Sequence, residues 1–214
     1  EPPAGTVSIN QEAAYTTSKD VTLDLSATDL GSSVERMRFS KDGTSWSAWE
    51  TYATTKTYTL DAGDGEKTVY VQFDDKVGRV SNTFKDTITL DTTKPTGTIK
   101  VNNGDAYATS RTVTLNLTQS DAASGASEMR FKVGTNGTWT AWEKVADTKT
   151  LDLDDSDGEQ TIYYEIKDKA GLISDTLSDA ITLDRVKPAG TIKVNHGDTY
   201  ATSRTVTLNL TQSD

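Results

Sequence analysis

Pro3-Ala4-Gly5-Thr6-Val7-Ser8-Ile9-Asn10 returns as Pro95-Thr96-Gly97-Thr98-Ile99-Lys100-Val101-Asn102, and again as Pro188-Ala189-Gly190-Thr191-Ile192-Lys193-Val194-Asn195. The three openings are spaced 92 and then 93 residues apart, and self-similarity at a fixed period assigns one structural unit to each period. Later landmarks keep step at a spacing of 93: Trp46 with Trp139, Trp49 with Trp142, Asp64-Gly65 with Asp157-Gly158, Asp75 with Asp168, Gly78 with Gly171 and Leu90-Asp91 with Leu183-Asp184. Two complete copies therefore run over residues 1–93 and 94–186, and 187–214 opens a third. Residues 189–214 differ from 96–121 at three of 26 positions: Thr96/Ala189, Asn103/His196 and Ala106/Thr199. An opening of this length supplies about two strands and buries no core of its own. It is expected either to be the edge of a window on a longer array or to dock on another chain by strand exchange.

Within each copy, period-2 alternation predicts the secondary structure. In Asp20-Val21-Thr22-Leu23-Asp24-Leu25-Ser26-Ala27, Val21, Leu23, Leu25 and Ala27 share one face while Thr22, Asp24 and Ser26 share the other; Val113, Leu115 and Leu117 repeat the pattern. That reads as strands with one face in a core and one in water. Strands are expected near 6–10, 20–27, 34–40, 45–52, 56–61, 67–75 and 79–90, seven per copy, separated by Gly, Asn and Asp turns such as Asp42-Gly43 and Asn136-Gly137. No segment reads as a helix. The fold class predicted is all-β: tandem antiparallel β-sandwiches joined by the short, proline-ended linkers Asp91-Thr92-Thr93-Lys94-Pro95 and Asp184-Arg185-Val186-Lys187-Pro188.

Composition narrows the function. The 214 residues hold 37 threonines, which favours strand. Lys+Arg number 22 against 32 Asp+Glu, a net charge of −10, so the basic field that a nucleic-acid binder or an anionic membrane surface needs is missing. There is no cysteine and one histidine, His196, which removes disulfides, thiol nucleophiles, cysteine-based zinc sites and most histidine-dependent catalysis. No run approaches the ~20 apolar residues of a membrane helix. Acid pairs of the glycosidase type are available at Asp74-Asp75 and Asp154-Asp155-Ser156-Asp157, but the position of Asp74 is Lys167 in the second copy, which speaks against catalysis by paired carboxylates.

Two kinds of candidate site remain. Asp154, Asp155 and Asp157 crowd three carboxylates into a turn, with Asp61 and Asp64 in the first copy; hard oxygen ligands of this kind suit calcium. Asp91 and Asp184 at the linkers, with Asp29 and Asp121 in a nearby loop type, form an alternative set for an ion at the junctions. The tryptophan pairs Trp46/Trp49 and Trp139/Trp142 offer aromatic faces for stacking on sugar rings. Their three-residue step on a strand predicts opposite faces, one ring in the core and one exposed.

The order Gly-Thr-Val/Ile, Met-Arg-Phe, Asp/Asn-Gly, Trp-x-x-Trp-Glu, Asp-Gly-x-x-Thr-Val/Ile-Tyr, Asp-x-x-Gly and Leu-Asp-x-x-Lys-Pro resembles the bacterial immunoglobulin-like or fibronectin type III-like repeats of large secreted and cell-surface proteins. The resemblance covers the whole chain. One departure is the turn usually written Asp-x-Ala-Gly-Asn-x-Ser, which here reads Asp75-Lys76-Val77-Gly78-Arg79-Val80-Ser81 and Asp168-Lys169-Ala170-Gly171-Leu172-Ile173-Ser174. The resemblance implies an extracellular or cell-surface location. It also implies a non-catalytic role, as an extended spacer or filament-forming segment whose partners are neighbouring copies of the repeat. The alternative is a carbohydrate-binding or adhesive module of a larger enzyme or adhesin, with polysaccharide as partner.

Overall fold

The alternation of apolar and polar residues becomes two sets of strands with matching order. The computed structural model describes all 214 residues. The first copy forms β1 (Ala4–Ile9), β2 (Tyr15–Thr16), β3 (Asp20–Thr28), β4 (Val34–Ser40), β5 (Glu50–Thr51), β6 (Thr55–Thr59), β7 (Gly65–Asp75) and β8 (Phe84–Leu90). The second forms β9 (Thr96–Val101), β10 (Tyr107–Ala108), β11 (Thr112–Ser120), β12 (Ala126–Val133), β13 (Glu143–Lys144), β14 (Thr148–Asp152), β15 (Gly158–Asp168) and β16 (Leu177–Leu183). A last antiparallel pair, β17 (Ala189–Val194) and β18 (Leu208–Ser213), follows. The helical content is two 3₁₀ turns, Asn102–Gly104 and Asn195–Gly197.

Each copy is two facing sheets. In the first, the orders are β1-β3-β6 and β2-β8-β7-β4-β5; in the second, β9-β11-β14 and β10-β16-β15-β12-β13. All pairings are antiparallel except β2 with β8 and β10 with β16, which are parallel. The two-residue strands β2 and β10 lie in a stretch that the alternation assigns to loop.

Two expected strands are shorter than predicted, for one physical reason. At 45–52 the strand pairing with β4 is confined to Glu50–Thr51, apart from a single bridge from Trp46 to Ser40, and at 79–90 continuous pairing with β7 starts at Phe84, after a single bridge from Val80 to Asp74. In both places a serine replaces part of the ladder. Ser47 donates its N–H to the Phe39 carbonyl (2.8 Å) while its Oγ accepts the Phe39 N–H (3.0 Å); Ser81 does the same with Phe73 (2.8 and 2.9 Å). The second copy repeats both devices with Thr140 on Phe131 and Ser174 on Ile166. Because the side-chain oxygen takes the place of a carbonyl, the chain arches off the sheet without leaving a buried N–H unpaired.

The faces predicted to be apolar make the cores. Ile9, Val21, Leu23 and Leu25 pack against Met37, Phe39, Val69, Val71 and Phe73 in the first copy. Val101, Val113, Leu115 and Leu117 pack against Met129, Phe131, Ile162, Tyr164 and Ile166 in the second. Full burial of each such side chain contributes about 1.5–3 kcal/mol. The recurrent glycine of the opening motif has a steric cause. A Cβ on Gly5 would lie 2.6 Å from both Ser26 O and the Phe73 ring, and on Gly97 it would lie 2.2 Å from Thr118 O. The strand can approach its neighbour that closely only without a side chain.

Candidate functional site

The tryptophan pairs do not split between core and solvent as the strand periodicity predicts. Since Ser47 and Thr140 lift this segment off the ladder, both rings of each pair fall on the outer face of the larger sheet, half-buried against arginine. The Arg38 guanidinium lies 4.9 Å from the Trp46 ring centroid and 4.5 Å from that of Trp49, and Arg36 sits 5.6 Å from Trp49. In the second copy Arg130 lies between Trp139 (4.7 Å) and Trp142 (4.5 Å), with Lys167 4.6 Å from Trp142. These are cation–π stacks, held from the far side by acids and amides: Arg38 donates to Gln72, and Arg130 to Glu165. Tyr52 and Tyr58 instead pack on the core, Tyr52 edge-on to Phe73.

At the side of the same ladder, the paired-acid candidate resolves into an ion pair. Asp74, buried, holds Arg36 through Nε and Nη2. At the equivalent positions of the second copy the signs are exchanged, with Glu128 facing Lys167. Exchange of sign with retention of contact marks a structural bridge.

The acidic turns face the linkers. Asp64 accepts from the Thr92 N–H (3.0 Å), the Thr92 hydroxyl (2.8 Å) and the Thr93 hydroxyl (2.6 Å). Asp157 and Asp155 do the equivalent work at the second linker through Arg185, at 2.6 Å from Nε and 2.7 Å from Nη1. Arg185 holds both carboxyls below the ordinary value of 3.8. Asp61 pairs with Lys41, and Asp154 is exposed, donating its N–H to Gln160 (2.8 Å). The crowding of these carboxylates is legible in the sequence, while the partners of Asp61, Asp64, Asp155 and Asp157 in the folded chain are cations, hydroxyls and linker N–H groups.

The first junction gathers a different set. Asp91 at the end of the first copy meets Asp121 and Asp168 of the second, one carboxylate oxygen from each lying within 4.8 Å of the others. Asp91 is 0% and Asp168 2% exposed. Asp91 Oδ1 accepts the Thr93 N–H (3.1 Å), and Oδ2 accepts the Ser124 N–H across the junction (3.2 Å). Asp121 Oδ1 accepts the N–H groups of Ala123, Ser124 and Gly125 at 3.2, 2.9 and 2.7 Å, and Asp168 Oδ1 that of Leu172 at 2.9 Å. Oδ2 of both Asp121 and Asp168 is buried with no hydrogen-bond partner. Burial first, then Asp91 and Asp121, pushes the Asp168 carboxyl above 3.8. Asp29 and Asp75 repeat the arrangement in the first copy, again with both Oδ2 atoms unpartnered. The sequence exposes Asp91 and Asp121 as a junction set; it shows Asp168 only as part of a turn motif, and the fold alone brings its buried oxygen to the linker.

Neither a protein-family model nor a curated protein matches the sequence. Solved structures do. The fibronectin(III)-like modules of Clostridium thermocellum CbhA are similar at 19% identity and TM-score 0.47, over 83% of this chain and 93% of that one. A structure from a 1.5-MDa bacterial ice-binding adhesin, described for host cell surface retention, is similar at 16% identity and TM-score 0.54, over 90% of this chain and 68% of that one. The FN1–FN3 domains of chicken CNTN1 are similar at 12% identity and TM-score 0.43, over 86% and 66%. Strand order, facing sheets and the likeness to the adhesin structure agree: the chain has an immunoglobulin-like, fibronectin type III-like β-sandwich fold.

Proposed function

We propose that this chain is a non-catalytic structural segment in which immunoglobulin-like repeats, with boundaries near 93 and 186, space other parts of a secreted or cell-surface protein. The observation that carries this reading is the fixing of the linkers. The four residues between Leu90 and Pro95 are bonded on one side to Asp64 and on the other to Ser124 of the next copy, and Lys94 pairs with Asp175 at 2.8 Å. A linker held this way gives reach that grows with copy number. The adhesin with the same fold supports a surface setting by analogy of architecture alone. No helix is long and apolar enough to cross a membrane. Small-angle X-ray scattering on the intact chain tests the reading: a narrow pair-distance distribution of an elongated particle is expected, and the broad distribution of hinged domains would overturn it.

The half-buried tryptophan faces favour a second reading, adhesion to polysaccharide. Its test is quenching of tryptophan fluorescence by added glycans, which should follow Trp46 and Trp139 and vanish when both are replaced by alanine.

A further inference from the structure

We infer that the first repeat holds a pocket for one neutral hexopyranose ring, free or at the end of a glycan, walled by Tyr58, Tyr70, Lys41 and Lys67. The cavity measures about 280 Å³ and lies where β6 meets β7 and the turn after β4, with buried Leu60 in its wall. Three positions in equivalent register set it apart from the second copy. Tyr58 pairs with Val21 as Leu151 pairs with Val113, and Lys67 pairs with Ile88 as Gln160 pairs with Ile181. Lys41 follows the partner of Tyr70 as Val133 follows the partner of Tyr163. In the second copy Gln160 is 8% exposed and ties down the turn before β15: its Oε1 accepts the Asp154 N–H (2.8 Å), and its Nε2 donates to the carbonyls of Asp154 (3.1 Å) and Ser156 (2.7 Å). Val133 and Leu151 pack against that core. In the first copy the amide plug and the two aliphatic covers give way to Lys67, Lys41 and Tyr58. Lys67, half-buried, has no carboxylate within 4.0 Å; the acid that feels its charge, Asp64, is committed to the hydroxyls of Thr92 and Thr93.

The lining selects the ligand. Lys41 and Lys67 balance Asp61 and Glu66, so the cavity has no net charge with which to hold a free ion, yet it sets ammonium donors beside carboxylate acceptors. Adjacent ring hydroxyls, each both donor and acceptor, match that set, and the C–H face of a pyranose matches the tyrosine rings. Both rings are held in place: Tyr58 lies 5.8 Å from Phe39 between centroids, and Tyr70 packs over Gly43, where a Cβ would come within 3.4 Å of the ring. Burial holds the Tyr58 hydroxyl above its ordinary value of 10.0, which keeps it a donor at neutral pH. The volume is near the lower bound of about 300 Å³ for small-molecule sites, which suits one ring rather than a chain. The pocket shares no residue with the tryptophan stacks, and its occupancy depends on neither reading proposed above.

The test is a nuclear magnetic resonance titration of the intact, ¹⁵N-labelled chain with the methyl pyranosides of glucose, galactose, mannose and N-acetylglucosamine, and with methyl glucuronide as the charged control. At least one neutral glycoside is expected to shift the amides of residues 58–70 saturably, with a dissociation constant on the order of 10⁻³ M, the range open to a ligand of about a dozen non-hydrogen atoms. Lys67→Gln and, separately, Tyr58→Leu install the residues of the second copy, so each variant should stay folded, as its remaining spectrum reports, and lose the shifts. Replacing Trp46 and Trp139 by alanine should leave them in place. Absence of saturable shifts with every neutral glycoside, their survival in both pocket variants, or saturation by the glucuronide alone would overturn the assignment. A polymer of the best-bound sugar separates the two sources: competition in proportion to chain ends assigns the pocket to a glycan terminus, and no competition assigns it to the free sugar. Shifts that follow Lys67 and Tyr58 while tryptophan fluorescence ignores glycans would uphold the pocket and reject the tryptophan reading.

Discussion

A single atom's worth of space separates the recurrent glycine from any other residue. At Gly97 a Cβ would lie 2.2 Å from Thr118 O and 2.6 Å from Ile166 Cδ1, so Gly97→Ala must push β9 away from β11 and reopen the core edge. Overpacking of this sort costs about 1–3 kcal/mol; urea unfolding should show the second copy losing that much while the first keeps its midpoint. Charge at the residue scale is equally local. Asp155 and Asp157 are held low by Arg185, so their contribution is present above pH 3.8 and is lost as pH falls through their depressed values. In Arg185→Gln both titration midpoints should rise towards 3.8, as followed by carboxyl carbon chemical shifts; unchanged midpoints would mean that the arginine contact is absent in solution.

Between elements, the exchanged pair Arg36–Asp74 and Glu128–Lys167 makes a stringent prediction. Asp74→Lys alone places a buried ammonium beside Arg36 and should destabilise the first copy by about 3–5 kcal/mol. Adding Arg36→Glu should recover most of the loss, since the second copy already folds around that combination; failure to recover would refute the equivalence of the two sites. The element scale also shows what the sequence makes legible. Strands β3, β7, β11 and β15 follow from alternation because each has one face in a core and one in water, and nothing local interrupts the period. The arches at Ser47 and Ser81 are not legible, since a hydroxyl standing in for a carbonyl leaves no trace in the hydrophobic pattern. That one omission misplaces the tryptophans: with the ladder broken before Trp49, the two rings share a face and stack on Arg38. Asp168 is hidden for a different reason, because a buried carboxylate at a strand end is indistinguishable in sequence from an exposed turn residue.

Across the whole molecule, identical sequence meets different surroundings. Leu115 is 0% exposed, whereas Leu208, its counterpart in the third opening, is 52% exposed on β18, because β17 and β18 pair only with each other. Two strands without a facing sheet are marginal in water. Hydrogen exchange should find the amides of 191–211 in this chain exchanging many-fold faster than those of 98–118, although 23 of the 26 residues from 189 to 214 are shared with 96–121; equal protection would require a partner covering the exposed leucines. The division of the junction carboxylates between repeats has a bearing on how such a protein can grow. Asp29 and Asp75 lie at the front of the first copy's sandwich and Asp91 at its exit, so one period of 93 residues encodes both halves of a junction. Unequal recombination anywhere within the period therefore yields a gene with one more or one fewer complete joint, and lengthening the protein requires no further mutation to make the new repeat fit.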